Sequence, residues 1–208
     1  MNTLGQRILA ASEDLAALLA AVLTAPVYDD SQRIRVSHLA SSVSLEHSHA
    51  CRTLLAVGMV PSGLVVHRAQ YEAAVRAVWS FYAASEPHVG KLGATLAVEA
   101  EQEAKNLPLV AEMMVALSTK APYPVYQALA NFKENSWKAL NSFVHAGIHP
   151  IQRQESGYPV QLVEQILRNC NGLAVVAGMQ AAVLTGSQRL VKQVGAMQTT
   201  HAKCLPVQ

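Results

Sequence analysis

Residues 61–84 read PSGLVVHRAQYEAAVRAVWSFYAA, and this stretch decides the fold class. Proline is tolerated in the first turn of a helix, and the remaining residues lack the alternation of a strand, so the stretch predicts one long helix. Apolar side chains fall nearly all round this helix, which is typical of a helix in the middle of a bundle. Arg68 and Glu72 lie four residues apart, where they can form an ion pair that is at least partly buried.

The rest of the chain repeats this pattern. Nine prolines fall between or at the starts of segments rich in Ala, Leu, Val, Glu and Gln. The pattern predicts helices near residues 3–24, 31–57, 61–84, 88–105, 108–118, 124–146 and 159–185. After Ser187 we expect only a turn or two and partial disorder within residues 187–208. The sequence therefore predicts an all-α protein, a single up-and-down helical bundle with one domain over residues 1–208.

Composition restricts the surface of this bundle. Apolar residues make up 51% of the chain and charged residues 14%, well below the usual quarter. Some apolar surface is therefore expected to meet a partner, and a homodimer is the simplest choice. The net charge of +2 is too small to indicate nucleic-acid binding by itself. The basic stretch after Glu164 is interpreted as a solvated tail, with contact to RNA phosphates as the alternative.

The three cysteines, Cys51, Cys170 and Cys204, lie far apart in the sequence and in no CxxC arrangement. An odd number of cysteines without a secretory signal predicts reduced thiols and a cytoplasmic protein. The most hydrophobic run is short and contains Gln180, so no contact with a membrane is expected. The sequence has no phosphate-binding or dinucleotide-binding glycine motif, and we expect no cofactor.

Two groups of histidines have the spacing of metal ligands but are interpreted as packing or solvated side chains. His145 and His149 are four residues apart, yet Gly147 and Pro150 interrupt the helix around them. A second group, which contains His47, His49 and Cys51 beside Glu46, offers two ligands on one helical turn, and two ligands do not close a tetrahedral site. No metal site is therefore predicted.

A second informative helix covers residues 124–146. Its polar residues Glu134, Lys138, Asn141 and His145 form a narrow stripe at spacings of four, three and four. This stripe is either the wet face of an ordinary amphipathic helix or the wall of a cleft. His145 lies at the predicted helix end, where the helix dipole favours its charged form, and such a histidine suits an acid in proton transfer.

The two helices together carry a resemblance. Residues 64–79, LVVHRAQYEAAVRAVW, resemble the "R-x-x-x-E … W" helix of bacterial helical families related to HEPN proteins of defence and toxin systems. Residues 140–147, LNSFVHAG, resemble the terminal "N-x-x-x-H" helix of the same families. The resemblance follows the helix order over residues 45–185, and these two short motifs are its specific part.

The resemblance implies a HEPN-like fold with a metal-independent RNA-cleaving centre at a homodimer interface. Active families have an R-[polar]-x-x-x-H motif, and here Asn141 and His145 occupy its second and last positions while Leu140 stands where the arginine is expected. His145 would then be the general acid and base, Asn141 its orienting neighbour, and Arg68 with Glu72 the phosphate-facing pair. The implied partners are RNA and a cognate antitoxin or defence-system protein. Either Arg68 replaces the missing arginine, or the protein is a non-catalytic relative.

Two further hypotheses remain open from the sequence. The chain can be a helical interaction or scaffold module, in which a buried Arg68–Glu72 pair is structural. Under that hypothesis Glu72→Ala lowers the free energy of unfolding by about 3–5 kcal/mol, because a buried charge loses its partner. The bundle can also bind a small apolar ligand between its helices, although no residue singles out such a ligand.

Overall fold

The structure, a computed structural model, describes residues 3–98, 102 and 106–206, with side chains from residue 5 onward. Within these ranges the chain is helical without strands, and the predicted all-α bundle is confirmed. The helices are α1 Thr3–Leu23, α2 Gln32–Ala56, α3 Val60–Tyr82, α4 Glu86–Leu92, α5 Val110–Lys120, α6 Tyr123–Val144, α7 Ile148–Ser156, α8 Val160–Leu184 and α9 Gln188–Thr200, followed by a 3-10 turn at Ala202–Cys204. None of these described helices is long and apolar enough to cross a membrane.

Helix α3 lies at the centre of the bundle, as the sequence of residues 61–84 predicted. It contacts α2, α5, α6 and α8, while α8 also contacts α1 and α2. Helices α2 and α3 run antiparallel and are joined by a short turn at residues 57–59. Gly58 has φ of 82° in this turn, a left-handed conformation that costs glycine little.

The inward face of α2 carries small polar side chains, which let α3 and α8 approach it closely. Its buried serines are Ser37, Ser41, Ser44 and Ser48. Ser37 Oγ donates to the carbonyl oxygen of Ala77 on α3 at 2.7 Å and accepts from Gln180 Nε2 on α8 at 3.1 Å. Such bonds satisfy polar groups that would otherwise be costly to bury. They hold α2, α3 and α8 together around a polar strip inside the core.

The prediction of a single helix near residues 88–105 was wrong. Helix α4 ends at Leu92, its backbone is capped by Gly93, and residues 93–97 are not helical. Gly90 and Gly93 weaken the helix here, because glycine is a poor helix former. Residues 99–101 and 103–105 of the predicted helix lie outside the described residues.

Two helices appear where the sequence pattern predicted none. Helix α7 follows α6 almost at once, because Ser142 Oγ accepts the N–H of His149 at 3.1 Å and Pro150 fits the first turn of the new helix. Helix α9 occupies residues for which a turn or two and partial disorder were expected. It buries Val194 and Met197 in the core, so residues 188–200 are a packed helix.

Candidate functional site

Arg68 and Glu72 lie on the side of α3 that faces α6. Arg68 Nε donates to Glu72 Oε1 at 2.9 Å, and the two side chains are 19% and 36% exposed. The Arg68 Cζ atom lies 4.7 Å from the centre of the Trp137 ring on α6, which is within cation–π distance. Arg68 Nη1 is buried and has no hydrogen-bond partner among the described residues. The guanidinium is thus anchored at one nitrogen and retains donors at another.

Asn141 and His145 lie at the C-terminal end of α6. The Oδ1 atom of Asn141 is buried and has no hydrogen-bond partner in the described part of the chain. The backbone carbonyl of Asn141 accepts the N–H of His145 at 3.2 Å, and His145 is exposed just after the last residue of α6. Leu140, which stands at the arginine position of the HEPN-like motif, is only 2% exposed and packs in the core.

The structure brings Arg68 to Trp137 rather than to the end of α6. Trp137 and His145 are eight residues apart, which corresponds to about 12 Å along a helix axis. Asn141 lies between them, one turn from each. Within one chain, the predicted residues are therefore spread along two turns of α6. Arg68 of α3 contacts the first of these turns at Trp137, and His145 follows the second.

A cleft of about 500 Å³ opens between α5 and α6 beside the Arg68 region. Trp137 belongs both to the Arg68 region and to the cleft, because its ring contacts the Arg68 guanidinium and also lines the cleft. The other main lining residues are Met114, Val115, Tyr126, Lys133, Glu134 and Lys138. The cleft thus combines aromatic rings, apolar surface, two lysines and one carboxylate. The rings and the lysines can contact a flat ring system with an attached negative charge.

A second group of functional side chains lies inside the bundle, where α2, α3 and α8 meet. Cys51 on α2, His67 on α3 and Cys170 on α8 each offer one ligand atom, and these atoms all lie within 4.8 Å of one another. The three residues are only 0–2% exposed. No single stretch of sequence contains this cluster, because three separate helices contribute to it.

Gln70 fixes the orientation of the histidine in this cluster. Gln70 Nε2 donates to the carbonyl oxygen of Cys170 at 2.8 Å, so its Oε1 faces His67 Nδ1 at 2.9 Å. An amide oxygen only accepts, and Nδ1 must therefore carry the proton. In the neutral ring this leaves a lone pair on Nε2, which is buried and without a partner among the residues described. The His67 ring is held further by an edge contact with Phe132, with centroids 5.0 Å apart.

Ser48 and Arg52 extend the cluster towards the surface. Arg52 Nη1 donates to Ser48 Oγ at 2.9 Å, and Ser48 Oγ lies 3.3 Å from Cys170 Sγ. Because Ser48 accepts from Arg52, its own hydroxyl proton is free to point at the sulfur. Arg52 is balanced by Glu13 on α1, at 3.3 Å from Nε to Oε1. The Arg52 guanidinium is thus linked to Cys170 Sγ through the hydroxyl of Ser48.

The two thiols are unequal. Burial raises the pKa of Cys170, but hydrogen bonds from its neighbours, that of Cys51 foremost, outweigh burial and hold that pKa well below its usual range. The hydrogen bond to Cys170, with burial, raises the pKa of Cys51 well above its usual range. The thiolate is the form in which cysteine is a metal ligand or a nucleophile.

Sequence reasoning missed this cluster because it grouped Cys51 with its neighbours along the chain. His47 is half-buried and His49 is exposed, whereas Cys51 faces inward. One signal was present: Cys51 follows Ser48 by three residues, so it continues the buried serine face of α2. His67 and Cys170 belong to other helices, and their approach becomes visible only in the fold.

Comparison with known proteins gives a family and no assigned activity. Neither a curated protein nor a solved structure matches the chain significantly. A family model matches residues 41–207, which include the Arg68 region, the end of α6 and the buried cysteine–histidine cluster. The chain therefore belongs to the family of unknown function DUF6988.

Proposed function

We propose that this protein is a HEPN-like RNA-binding protein of a bacterial defence or toxin–antitoxin system, and that it binds single-stranded RNA at the α5–α6 cleft. The observation that carries the proposal is the position of Arg68. Its guanidinium lies on Trp137, and Trp137 also lines a cleft that carries Tyr126, two lysines and one glutamate. The resemblance of residues 64–79 and 140–147 to HEPN-like helices supports the same class of ligand.

The chemistry of the cleft suits a nucleotide chain. Aromatic rings such as those of Trp137 and Tyr126 can stack on bases, a contact worth about 1–3 kcal/mol per base. Lys133 and Lys138 can neutralise phosphates.

Binding is favoured over cleavage because the principal charge-stabilising group of the HEPN-like motif is absent. Leu140 fills the core at that position, and Arg68 contacts α6 about two turns away from His145. In most enzymes the stabilisation of developing charge contributes more to the rate than any other single effect. The exposed His145 remains the residue that would exchange protons if cleavage occurs.

A cytoplasmic homodimer is part of the proposal. Helix α7, which directly follows His145, exposes the apolar side chains of Ile148 and Ile151. Apolar surface next to the end of α6 fits the HEPN-like arrangement, in which this helix end meets a second copy of the chain. The same surface would also suit the alternative proposal, a non-catalytic interaction module whose partner is a cognate antitoxin or defence-system protein.

The test measures binding of a fluorescently labelled single-stranded RNA by anisotropy at several salt concentrations. We expect the double variant Lys133→Ala with Lys138→Ala to bind more weakly. Its plot of log affinity against log salt should be shallower by about 1.4, since each lost phosphate contact removes about 0.7. The matched control changes Lys192 and Lys203 to alanine, which removes the same charge from the C-terminal region.

Three outcomes would contradict the proposal. Equal effects of the two double variants would mean that RNA binds by net charge and not at the cleft. Cleavage of the RNA by the wild type, lost in His145→Ala, would replace the binding function with an endoribonuclease. A wild type that binds no RNA leaves the interaction module as the surviving proposal.

A further inference from the structure

We propose that Cys51, His67 and Cys170 form a zinc-binding site that fastens α2, α3 and α8 together. The site is independent of the RNA-binding proposal, since none of its residues lines the α5–α6 cleft. Three features carry it: the ligand types, the distances between them, and the buried lone pair of His67. None of the three ligands is close to another in sequence, so the fold itself assembles the site.

The distances fit a tetrahedral metal with little adjustment. Zn–S bonds of about 2.3 Å and Zn–N bonds of about 2.0–2.1 Å place such ligand atoms roughly 3.5–3.8 Å apart. In this structure Cys51 Sγ, Cys170 Sγ and a ring nitrogen of His67 all lie within 4.8 Å of one another. Side-chain rotations that move each ligand atom by less than about 1 Å would bring these atoms to the distances of a zinc site. Ser48 Oγ, 3.3 Å from Cys170 Sγ, offers an oxygen for the fourth position, which a water can also fill.

His67 is oriented as a metal ligand should be. Metal-binding histidines nearly always donate their second ring N–H to a carbonyl or carboxylate oxygen, which sets the tautomer. Here Nδ1 donates to Gln70 Oε1 at 2.9 Å, and the carbonyl of Cys170 holds Gln70 in turn. The remaining atom, Nε2, is buried without a partner in the described ranges. An unpaired polar atom inside a core is costly, and a metal would use its lone pair.

Charge and ligand type favour a divalent metal that accepts thiolate and imidazole, and zinc is the metal that tetrahedral sulfur–nitrogen sites typically hold. One Zn²⁺ with two thiolates and a neutral imidazole forms a neutral complex, and each proton that a thiol still carries leaves to solvent as the metal binds. A neutral complex suits a site whose three ligands are 0–2% exposed, because burying net charge is expensive. Hard cations such as Mg²⁺ and Ca²⁺ require oxygen ligands and do not fit. Cu⁺ accepts the same ligands but would leave a net negative charge.

Burial also determines how the ion enters. The ligands come from three helices that are already packed together, so the metal must bind as the chain folds or when the bundle opens. The bound ion should therefore exchange slowly with a chelator. It should also raise the stability of the fold, because it binds the native arrangement and not the unfolded chain.

The test uses the full chain, purified, reduced and freed of metal, and titrates it with Co²⁺. Thiolate ligands produce an intense sulfur-to-cobalt absorption band in the near ultraviolet, and added Zn²⁺ should remove this band. We expect saturation at one metal per chain and a higher unfolding temperature with Zn²⁺. The variants Cys51→Ser and Cys170→Ser should lose the band, while Cys204→Ser, the third buried cysteine, should keep it.

A positioning variant separates metal binding from simple core packing. Gln70→Ala leaves all three ligands in place, and it should weaken the affinity for zinc by about 10- to 100-fold, as expected for a residue that orients a ligand. Circular dichroism checks that each variant is folded.

The proposal would be overturned by a folded, reduced wild type that gives no charge-transfer band. It would also be overturned if Cys204→Ser abolishes the band, or if Cys51 and Cys170 are found as a disulfide and the reduced protein takes up no metal. These results do not depend on RNA binding, so the two proposals can fail separately.

Discussion

Two adjacent residues on α3 serve two different regions of the molecule. His67 points into the core, where it meets Cys51 and Cys170, and Arg68 points towards α6, where it meets Trp137. Successive residues of a helix are about 100° apart, so neighbours in sequence face different surroundings. In the core the three ligands are 0–2% exposed, whereas Arg68 and its partner Glu72 are 19% and 36% exposed.

This difference in exposure decides the chemistry of each region. The core cluster can hold ionised sulfur only if a cation compensates it, because solvent does not reach the site. On the α3–α6 face water reaches part of the Arg68–Glu72 pair and shares the task of compensating its charges. Aromatic side chains separate the two regions. Tyr71 stacks on Phe132 and makes an edge contact with Trp137. Phe132 in turn contacts His67, and Trp137 contacts the Arg68 guanidinium.

The largest effect is expected from placing the missing arginine of the HEPN-like motif into this chain. Leu140→Arg should lower the free energy of unfolding by about 3–5 kcal/mol, since position 140 is buried and would hold a charge without a partner. Urea denaturation followed by circular dichroism measures the change. Leu140→Met is the control and should cost less than about 1.5 kcal/mol, because it conserves volume.

A stable Leu140→Arg protein that cleaves RNA would contradict this expectation. It would mean that position 140 can turn to the surface and that the open face extends to the end of α6. Position 140 would then belong to the solvent-accessible face of α6 and not to the buried core.

A smaller effect is expected at the aromatic side chains between the regions. Tyr71 is fully buried, and its hydroxyl donates to the carbonyl oxygen of Leu129 at 3.2 Å. Tyr71→Phe removes this bond and keeps the ring, so the free energy of unfolding should fall by about 1 kcal/mol. Urea denaturation measures it. RNA affinity and zinc affinity should both stay at the wild-type value, and a change in either would show that the hydroxyl acts on that region.

The central helix and the all-α class could be predicted because they depend on local patterns. Residues 61–84 are apolar nearly all round, and such a helix has few places outside the middle of a bundle. Helix α7 was missed because Gly147 and Pro150 normally end a helix, and here Ser142 caps the next one instead. That cap depends on the side chain of a residue seven positions earlier, which periodicity does not reveal.

The candidate sites differ in the same way. The Arg68–Glu72 pair follows from a spacing of four on one helix, and the structure contains it. The partner of Arg68, Trp137, and the cluster of Cys51, His67 and Cys170 come from helices that are distant in sequence. Such contacts depend on the packing of α2, α3, α6 and α8, and no spacing within one helix encodes that packing.

The smallest effect tests whether the Arg68–Glu72 pair belongs to the open face or to the core. A buried pair would lose about 3–5 kcal/mol when Glu72 becomes alanine. Since Glu72 is 36% exposed, water can solvate Arg68 after the change, and we expect a loss of only about 0.2–1 kcal/mol in urea denaturation. RNA affinity should rise, because Glu72→Ala removes a negative charge and frees Arg68 Nε for phosphate.

A double-mutant cycle with Arg68→Gln and Glu72→Gln isolates the energy of the pair from the effect of each side chain alone. A coupling near about 3 kcal/mol, with unchanged RNA affinity, would identify the pair as a structural tie between α3 and α6 and would favour the interaction module. A coupling below about 1 kcal/mol, with tighter RNA binding in Glu72→Ala, would place Arg68 on the ligand-binding face. The coupling energy decides between these outcomes, because the loss of one negative charge can by itself raise the affinity for a polyanion.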